Sequence, residues 1–348
     1  MKNKELLFSP LELKNITLPG RLVRSATELF AAGPDAHIPQ YEVMLYRELA
    51  AEPLGMIITA HTCVSPEGRS NLYQNAIWSD EFIPDVVQIA DSVPHVPVIM
   101  QLGHGGMKAE GNNGGLPVYT PDNMTTEQIK AVVVAFGKAA GRAMTAGMDG
   151  IMLHAAHMYL LSQFFYPEYN HRTDSYGGCA ENRFRIIREI FEEIKTVCGD
   201  KTPVFMKING DDRDDTEEYH RDIVEVLGIC SELKMDAVEI SGYASARPGM
   251  QEMPYFEENI SRLRNETDIP LIAVGGIRST DDMDRLLDIG ASAISLSRPL
   301  LFDPHMPTEI FENGEYHSDC QGCGFCFHPL KMDRAEIIRC PHRKRYSY

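Results

Sequence analysis

Basic residues are scarce in this chain: 33 Lys and Arg stand against 50 Asp and Glu, for a formal net charge of −17. That balance excludes nucleic acid or an anionic membrane as the main partner, because both require a basic face. Long apolar runs are missing too. None approaches the roughly 18 residues that span a bilayer. The N-terminal Leu6-Leu7-Phe8 is cut short by Ser9-Pro10, so it does not read as a secretion signal. A cytoplasmic protein is the expectation. No Gly-rich dinucleotide turn follows the first predicted strand, which tells against a doubly wound open sheet. No internal repeat or low-complexity tract is present. The acidic run Asp211 to Glu218 lacks the spacing of an ion-binding loop and reads as solvated.

What the chain does have is eight short apolar runs: Leu22 to Ala26, Met56 to Ala60, Val96 to Leu102, Ile151 to His154, Val204 to Ile208, Ala237 to Ser241, Leu271 to Val274 and Ala293 to Leu296. They lack clean alternation, as strands buried on both faces do. Helical spacing lies between them. Over Glu181 to Val197, the residues Phe184, Ile187, Ile190, Phe191 and Ile194 share one face. Thr125 or Thr126 is placed to cap a helix reaching Ala146, and Ser279 one closed by Gly290. Eight strands alternating with helices predict a (β/α)8 TIM barrel. Phe8 to Leu18 reads as a hairpin-like lead. The expected organisation is a barrel over 1–310 and a Cys-rich extension over 311–348 packed on it.

Barrel enzymes carry their chemistry at the C-terminal ends of the strands. The fourth run ends at His154, with His157 and Tyr159 directly behind it. Two imidazoles and a phenol in six residues suit two N–H donors aimed at one oxygen, with an acid nearby. No third ligand is close enough in sequence to favour a metal there. Lys207 ends the fifth run, either as a Schiff-base nucleophile or as a fixed cation facing an anionic cofactor. Gln101 ends the third with an amide that both donates and accepts. Gly275-Gly276 and Ser297-Arg298 follow runs seven and eight, where barrels commonly bind phosphate. The glycine-rich stretch Gly103 to Pro121 is long enough to be a lid or a binding loop.

These residues carry a resemblance. The stretches Leu7-Phe8-Ser9-Pro10-Leu11, Gln101-Leu102-Gly103-His104, His154-Ala155-Ala156-His157, Asn170-His171-Arg172-Thr173-Asp174-Ser175-Tyr176-Gly177-Gly178 and Gly275-Gly276-Ile277-Arg278 resemble the old yellow enzyme family. These are FMN-dependent ene-reductases of the NADH:flavin oxidoreductase type. The resemblance implies that FMN is lined by Ser25, Ala26, Thr27 and Ala60 or His61. It implies that Gln101 holds the flavin pyrimidine edge and that Lys207 stands where the family usually has Arg. Gly275, Gly276, Ser297 and Arg298 would hold the phosphate. His154 and His157 would bind the carbonyl of a small unsaturated substrate, Tyr159 would protonate its α-carbon, and NAD(P)H would supply the hydride. Such an enzyme is expected as a homo-oligomer. Three positions depart from the pattern: Met158 replaces a glycine, Met107 an arginine, and Glu28 a cysteine found in some members.

Eight cysteines are present. Cys63, Cys179, Cys198 and Cys230 are scattered and read as small buried hydrophobes. Cys320, Cys323, Cys326 and Cys340 are clustered, and their spacing leaves an iron–sulfur cluster, zinc, free thiols or a disulfide open. His317 and His328 are nearby candidate ligands. Larger members of the family pair such a cluster with a second, pyridine-nucleotide domain, which is not expected in a chain ending at Tyr348. Two other reactions compete with alkene reduction: flavin-dependent amine oxidation, and a lyase using Lys207 as Schiff base.

Overall fold

The computed structural model describes residues 1–211, 216–243, 254–327, 340, 342 and 343. All eight apolar runs are strands of one closed barrel. They are β1 (Leu22–Arg24), β2 (Met56–Ile58), β3 (Val98–Gly103), β4 (Gly150–Ala155), β5 (Val204–Asn209), β6 (Ala237–Ser241), β7 (Leu271–Val274) and β8 (Ala293–Leu296). Every neighbouring pair is parallel, and β8 returns to β1 through Ile294 opposite Leu22. The strands lack alternation because both faces are covered: all six residues of β5 are buried.

Two cores result. Inside the barrel, Val23, Met56, Ile58, Ile99, Met152, Phe205 and Ile272 fill the layer near the strand starts. The expected lead is a short antiparallel hairpin, Leu11–Glu12 with Thr17–Leu18. Its Leu11 and Leu18 join that inner layer and close this end of the barrel. Outside, the helices bury their apolar stripes against the strands. The helix Ala180–Cys198 does so with Phe184, Ile187, Ile190 and Ile194, all fully buried. Its starting point is one residue earlier than the spacing predicts, and its end one later.

The helix starts follow from side-chain chemistry. Thr125 accepts the Gln128 N–H at 3.2 Å and the Gln128 side chain accepts the Thr125 N–H at 2.8 Å, a reciprocal cap that settles two otherwise unpaired donors. Ser279 and Asp282 repeat the arrangement at the helix Thr280–Asp288. The helix Met306–Asn313 runs across the expected boundary at 310/311. Beyond it, Ser318 N–H donates to the Arg278 carbonyl at 2.8 Å, which ties the extension to the loop after β7.

The scattered cysteines are corrected in part. Cys63 and Cys230 are buried, but Cys179 is exposed and Cys198 half-exposed. Both lie at the ends of an amphipathic helix, where the buried stripe no longer covers them. No helix among the described residues is long and apolar enough to cross a membrane. Residues 212–215 of the acidic run lie outside the described residues. Thr216 caps the helix Glu217–Glu232 by accepting the Tyr219 N–H at 3.2 Å.

These contacts set a contrast in stability. Phe184→Ala should cost about 3–5 kcal/mol, because it leaves a cavity in the helix–strand layer. Thr125→Ala should cost about 1 kcal/mol, the worth of one cap. Urea unfolding of both variants checks the order; equal losses would contradict it.

Candidate active site

Parallel register puts three polar side chains in one row. His154 on β4 lies opposite Lys207 on β5, and Lys207 opposite Glu239 on β6. All three are buried. The Lys207 ammonium donates to Ser25 Oγ at 3.1 Å and stands 3.5 Å from Glu239 Oε1. The Ser25 hydroxyl in turn donates to the same carboxylate oxygen at 2.7 Å. A buried cation is tolerable only when paired and hydrogen-bonded, and these contacts supply both.

The row opens into a cleft of about 1010 Å³, part of it open to solvent. Its walls come from the ends of several strands. Of the expected cofactor residues, Ser25, Ala26, Thr27, Gln101, Lys207, Gly275, Gly276, Ser297 and Arg298 all line it, as do His154, His157 and Tyr159. Ala60 does not. It is buried behind the wall, donating its N–H to the Tyr46 hydroxyl at 2.7 Å, and the next residue, His61, takes the place at the cleft.

The chain turns sharply after β4. His157 and Met158 have φ values of 60° and 59°, a left-handed conformation that costs L-residues about 1–2 kcal/mol and that glycine adopts freely. The glycine that the resemblance implies at position 158 would relieve this strain. The Met158 side chain is buried in the outer core and is not a wall of the cleft. The departure therefore strains the backbone and leaves the pocket its width. Asn209 holds the turn by accepting the His157 N–H at 3.0 Å.

The turn places the three rings together. His154 and Tyr159 have centroids 4.6 Å apart, and His154 and His157 5.1 Å. His154 Nδ1 is buried without a hydrogen-bond partner, while His157 Nε2 meets Ser241 Oγ at 2.7 Å. Burial drives both imidazoles well below their ordinary 6.5, and the charges of Lys207 and Lys108 push the same way. Both are neutral at pH 7. Burial and the Glu28 carboxylate hold the Tyr159 phenol well above its usual 10, so it stays protonated. Lys108, in the loop after β3, sits 4.8 Å from the Tyr159 ring. Met107 beside it is exposed.

The far end of the cleft is built for an anion. Gly275 and Gly276 have φ values of 101° and 75°, which a side chain would disfavour. Ser297 Oγ lies 2.7 Å from Thr27 Oγ1, and Arg298 donates to the Tyr255 hydroxyl at 2.9 Å. Ser295 Oγ, also on the wall, is buried with no partner. An unpaired buried hydroxyl is costly, and a bound ligand would satisfy it. These features fit a flat cofactor with a phosphate tail: a glycine cradle and a guanidinium at one end, a buried ammonium and an amide at the other.

The four clustered cysteines, Cys320, Cys323, Cys326 and Cys340, line a separate small pocket against Arg298, together with Leu301, Phe302 and His342. None of the four is in a disulfide. Among the described residues no three such side chains stand in metal-holding geometry, so no step is assigned to a cluster. His317 is exposed and outside this pocket. His328 lies outside the described residues.

Several residues of the cleft escaped sequence reasoning: Glu239, Ser241, Tyr255, Phe256 and the pairing of Glu28 with His61 at 2.9 Å. Glu239 had a signal, a carboxylate inside a doubly buried apolar strand. Tyr255 and Phe256 had none, since they reach the cleft from a loop.

Fold and cleft together define a barrel whose cleft fits a phosphate-tailed cofactor beside neutral acid–base groups. Comparison with known proteins gives the family. The model of the NADH:flavin oxidoreductase / NADH oxidase family matches residues 6–316. The NADPH dehydrogenase of Halalkalibacterium halodurans is 33% identical over 316 residues, covering 87% of this chain and 93% of that protein. Morphinone reductase superimposes with a TM-score of 0.77 at 24% identity, covering 90% of this chain and 91% of the other. A 2-naphthoyl-CoA reductase superimposes with a TM-score of 0.85 at 21% identity over 94% of this chain, which spans 55% of that longer protein. The chain belongs to the NADH:flavin oxidoreductase family. It is an NAD(P)H-dependent flavin oxidoreductase, and FMN is its flavin.

The lowered imidazoles carry a stability consequence. A histidine whose folded value lies below its unfolded 6.5 binds fewer protons folded than unfolded, so stability is full above about pH 6.5 and falls as the pH drops below it. His104, which burial pushes down to about 3, acts in the same direction. Urea midpoints between pH 7.5 and 5 should fall for the cofactor-free protein, and less steeply for His154→Gln. An unchanged slope in that variant would contradict a buried neutral His154.

Proposed function

We propose that the protein reduces the activated C=C bond of an α,β-unsaturated carbonyl compound with electrons from NAD(P)H. The observation that carries this reading is the convergence of His154, His157 and Tyr159 on the cleft that holds Lys207 and the anion cradle. FMN, when bound, would supply the hydride chemistry that links NAD(P)H to the β-carbon of the alkene. Gly275, Gly276, Ser297 and Arg298 would hold its phosphate, Gln101 its polar edge, and Lys207 the edge where negative charge grows on reduction.

The rest is done by the chain. Negative charge develops on the carbonyl oxygen as the β-carbon receives hydride, and donors fixed in advance stabilise it. Ser241 at His157 Nε2 can donate to that nitrogen, which leaves Nδ1–H of His157 free to face the oxygen. His154 lines the same cleft. Because both rings are neutral, each donates one hydrogen bond without handing over its proton. Tyr159 then protonates the α-carbon as general acid. Two oxygen-binding imidazoles have little use in amine oxidation, so the trio favours reduction. Lys207, held between Ser25 and Glu239, is placed as a fixed cation.

Anaerobic NAD(P)H should bleach the FMN-loaded protein, and a cyclic enone should restore the colour. In Tyr159→Phe the bleaching rate should change little while colour return slows by about 10²–10⁴-fold. Equal slowing of both halves would contradict Tyr159 as the acid. Failure of every enone and enoate to restore the colour in wild type would contradict the reaction.

A further inference from the structure

One carboxylate behind the cleft is paired through one oxygen only. Glu239 sits in β6, whose residues are all buried, and is itself closed off from solvent. Its Oε1 takes both contacts, the Ser25 hydroxyl at 2.7 Å and the Lys207 ammonium at 3.5 Å. Its Oε2 is buried with no hydrogen-bond partner among the described residues. Ser25 joins the two charges: it accepts from Lys207 at 3.1 Å and gives its own proton to Glu239. Ser25 and Lys207 stand in the cleft wall, so the cation is on the cofactor's side and the anion lies behind it.

We propose that Glu239 sets the midpoint potential of the bound FMN by opposing the charge of Lys207. This rests on the placement of Lys207 beside the flavin proposed above. Reduction puts negative charge on that edge of the flavin, and a cation there favours the reduced form. The carboxylate 3.5 Å from the ammonium carries the opposite sign. Two such charges cancel much of each other's field at points farther away than their separation. Glu239 thus holds the potential below the value that Lys207 alone would give.

The pair answers a constraint of the buried site. An ammonium this far from water is costly without a counter-charge. Among the described residues Glu239 is the carboxylate paired with it. Glu239 therefore keeps Lys207 in place before FMN binds, and the same charge weakens the cation when the flavin is reduced. The unpartnered Oε2 strengthens the effect, since no donor there offsets the carboxylate's charge. Glu239 is a positioning residue: it holds Lys207 and sets how much of its charge the cofactor meets. A purely structural ion pair would affect folding stability alone. A tuning counter-charge also moves the potential, in a direction set by its sign.

The test is a spectroelectrochemical titration of the FMN-loaded protein. Glu239→Gln keeps the side chain's size and an acceptor for the Ser25 hydroxyl, and removes the charge. Relative to wild type, the variant should favour reduced over oxidised FMN by about tenfold or more, which for two electrons is about 30 mV toward more positive potential. Glu239→Asp keeps the charge but draws it back from Lys207, so it should shift the potential the same way by less; it also serves if Glu239→Gln does not fold. Urea unfolding of both variants separates the structural role, which lowers the midpoint and leaves the potential where it was. A potential that is unchanged or more negative in Glu239→Gln, while Lys207→Gln does shift it, overturns the tuning role alone. A potential indifferent to both substitutions overturns the placement of Lys207 as well.

Discussion

The register of three adjacent strands governs this site. Because β4, β5 and β6 run parallel and in step, His154, Lys207 and Glu239 fall in one row. Each is polar in a strand buried on both faces, and each would be costly there alone. Together they are consistent: the carboxylate and Ser25 hold the ammonium, and the ammonium's field helps keep the imidazole neutral. A slip of one residue in any of these strands would turn its polar side chain toward the helices. The apolar inner layer of Met152, Phe205 and Ile272, sealed by the hairpin residues Leu11 and Leu18, is what fixes the register.

From that row the cleft extends in two directions. Toward β7 and β8, glycine φ values and Arg298 make an anion cradle. Toward the turn after β4, a strained backbone gathers two imidazoles and a phenol. The strain at His157 and Met158 is local and is held by Asn209 from β5 and by the burial of the Met158 side chain. Backbone strain persists where the surroundings over-determine it, and the turn presenting His157 and Tyr159 is such a place.

The strands were legible because their burial on both faces writes itself as short apolar runs. The last three, β6 to β8, match their runs residue for residue. The first two are each two residues shorter than their runs: Ser25 and Thr59 still donate to Leu296 and Ile99 of the neighbouring strands, but the regular pairing ends there. Helix starts at Thr125 and Ser279 were legible through local capping chemistry. The contacts between distant loops were not. Glu28 and His61 are 33 positions apart with no periodicity linking them. Met158 could be recognised as a departure, but whether its side chain faces the pocket or the core depends on tertiary packing, which buries it in the outer core. The spacing of Cys320, Cys323, Cys326 and Cys340 was visible; their distance from ligating geometry was not, since it depends on side-chain placement.

Lys207 is the member of the row that the account places against FMN, and the cofactor's midpoint potential reads its charge directly. In Lys207→Gln the cation that stabilises negative charge on the reduced cofactor is gone, while Glu239 is left behind. A spectroelectrochemical titration should then find the FMN potential shifted to more negative values than in wild type. A potential that is unchanged, or that moves to more positive values, would contradict the placement of the buried ammonium beside the flavin.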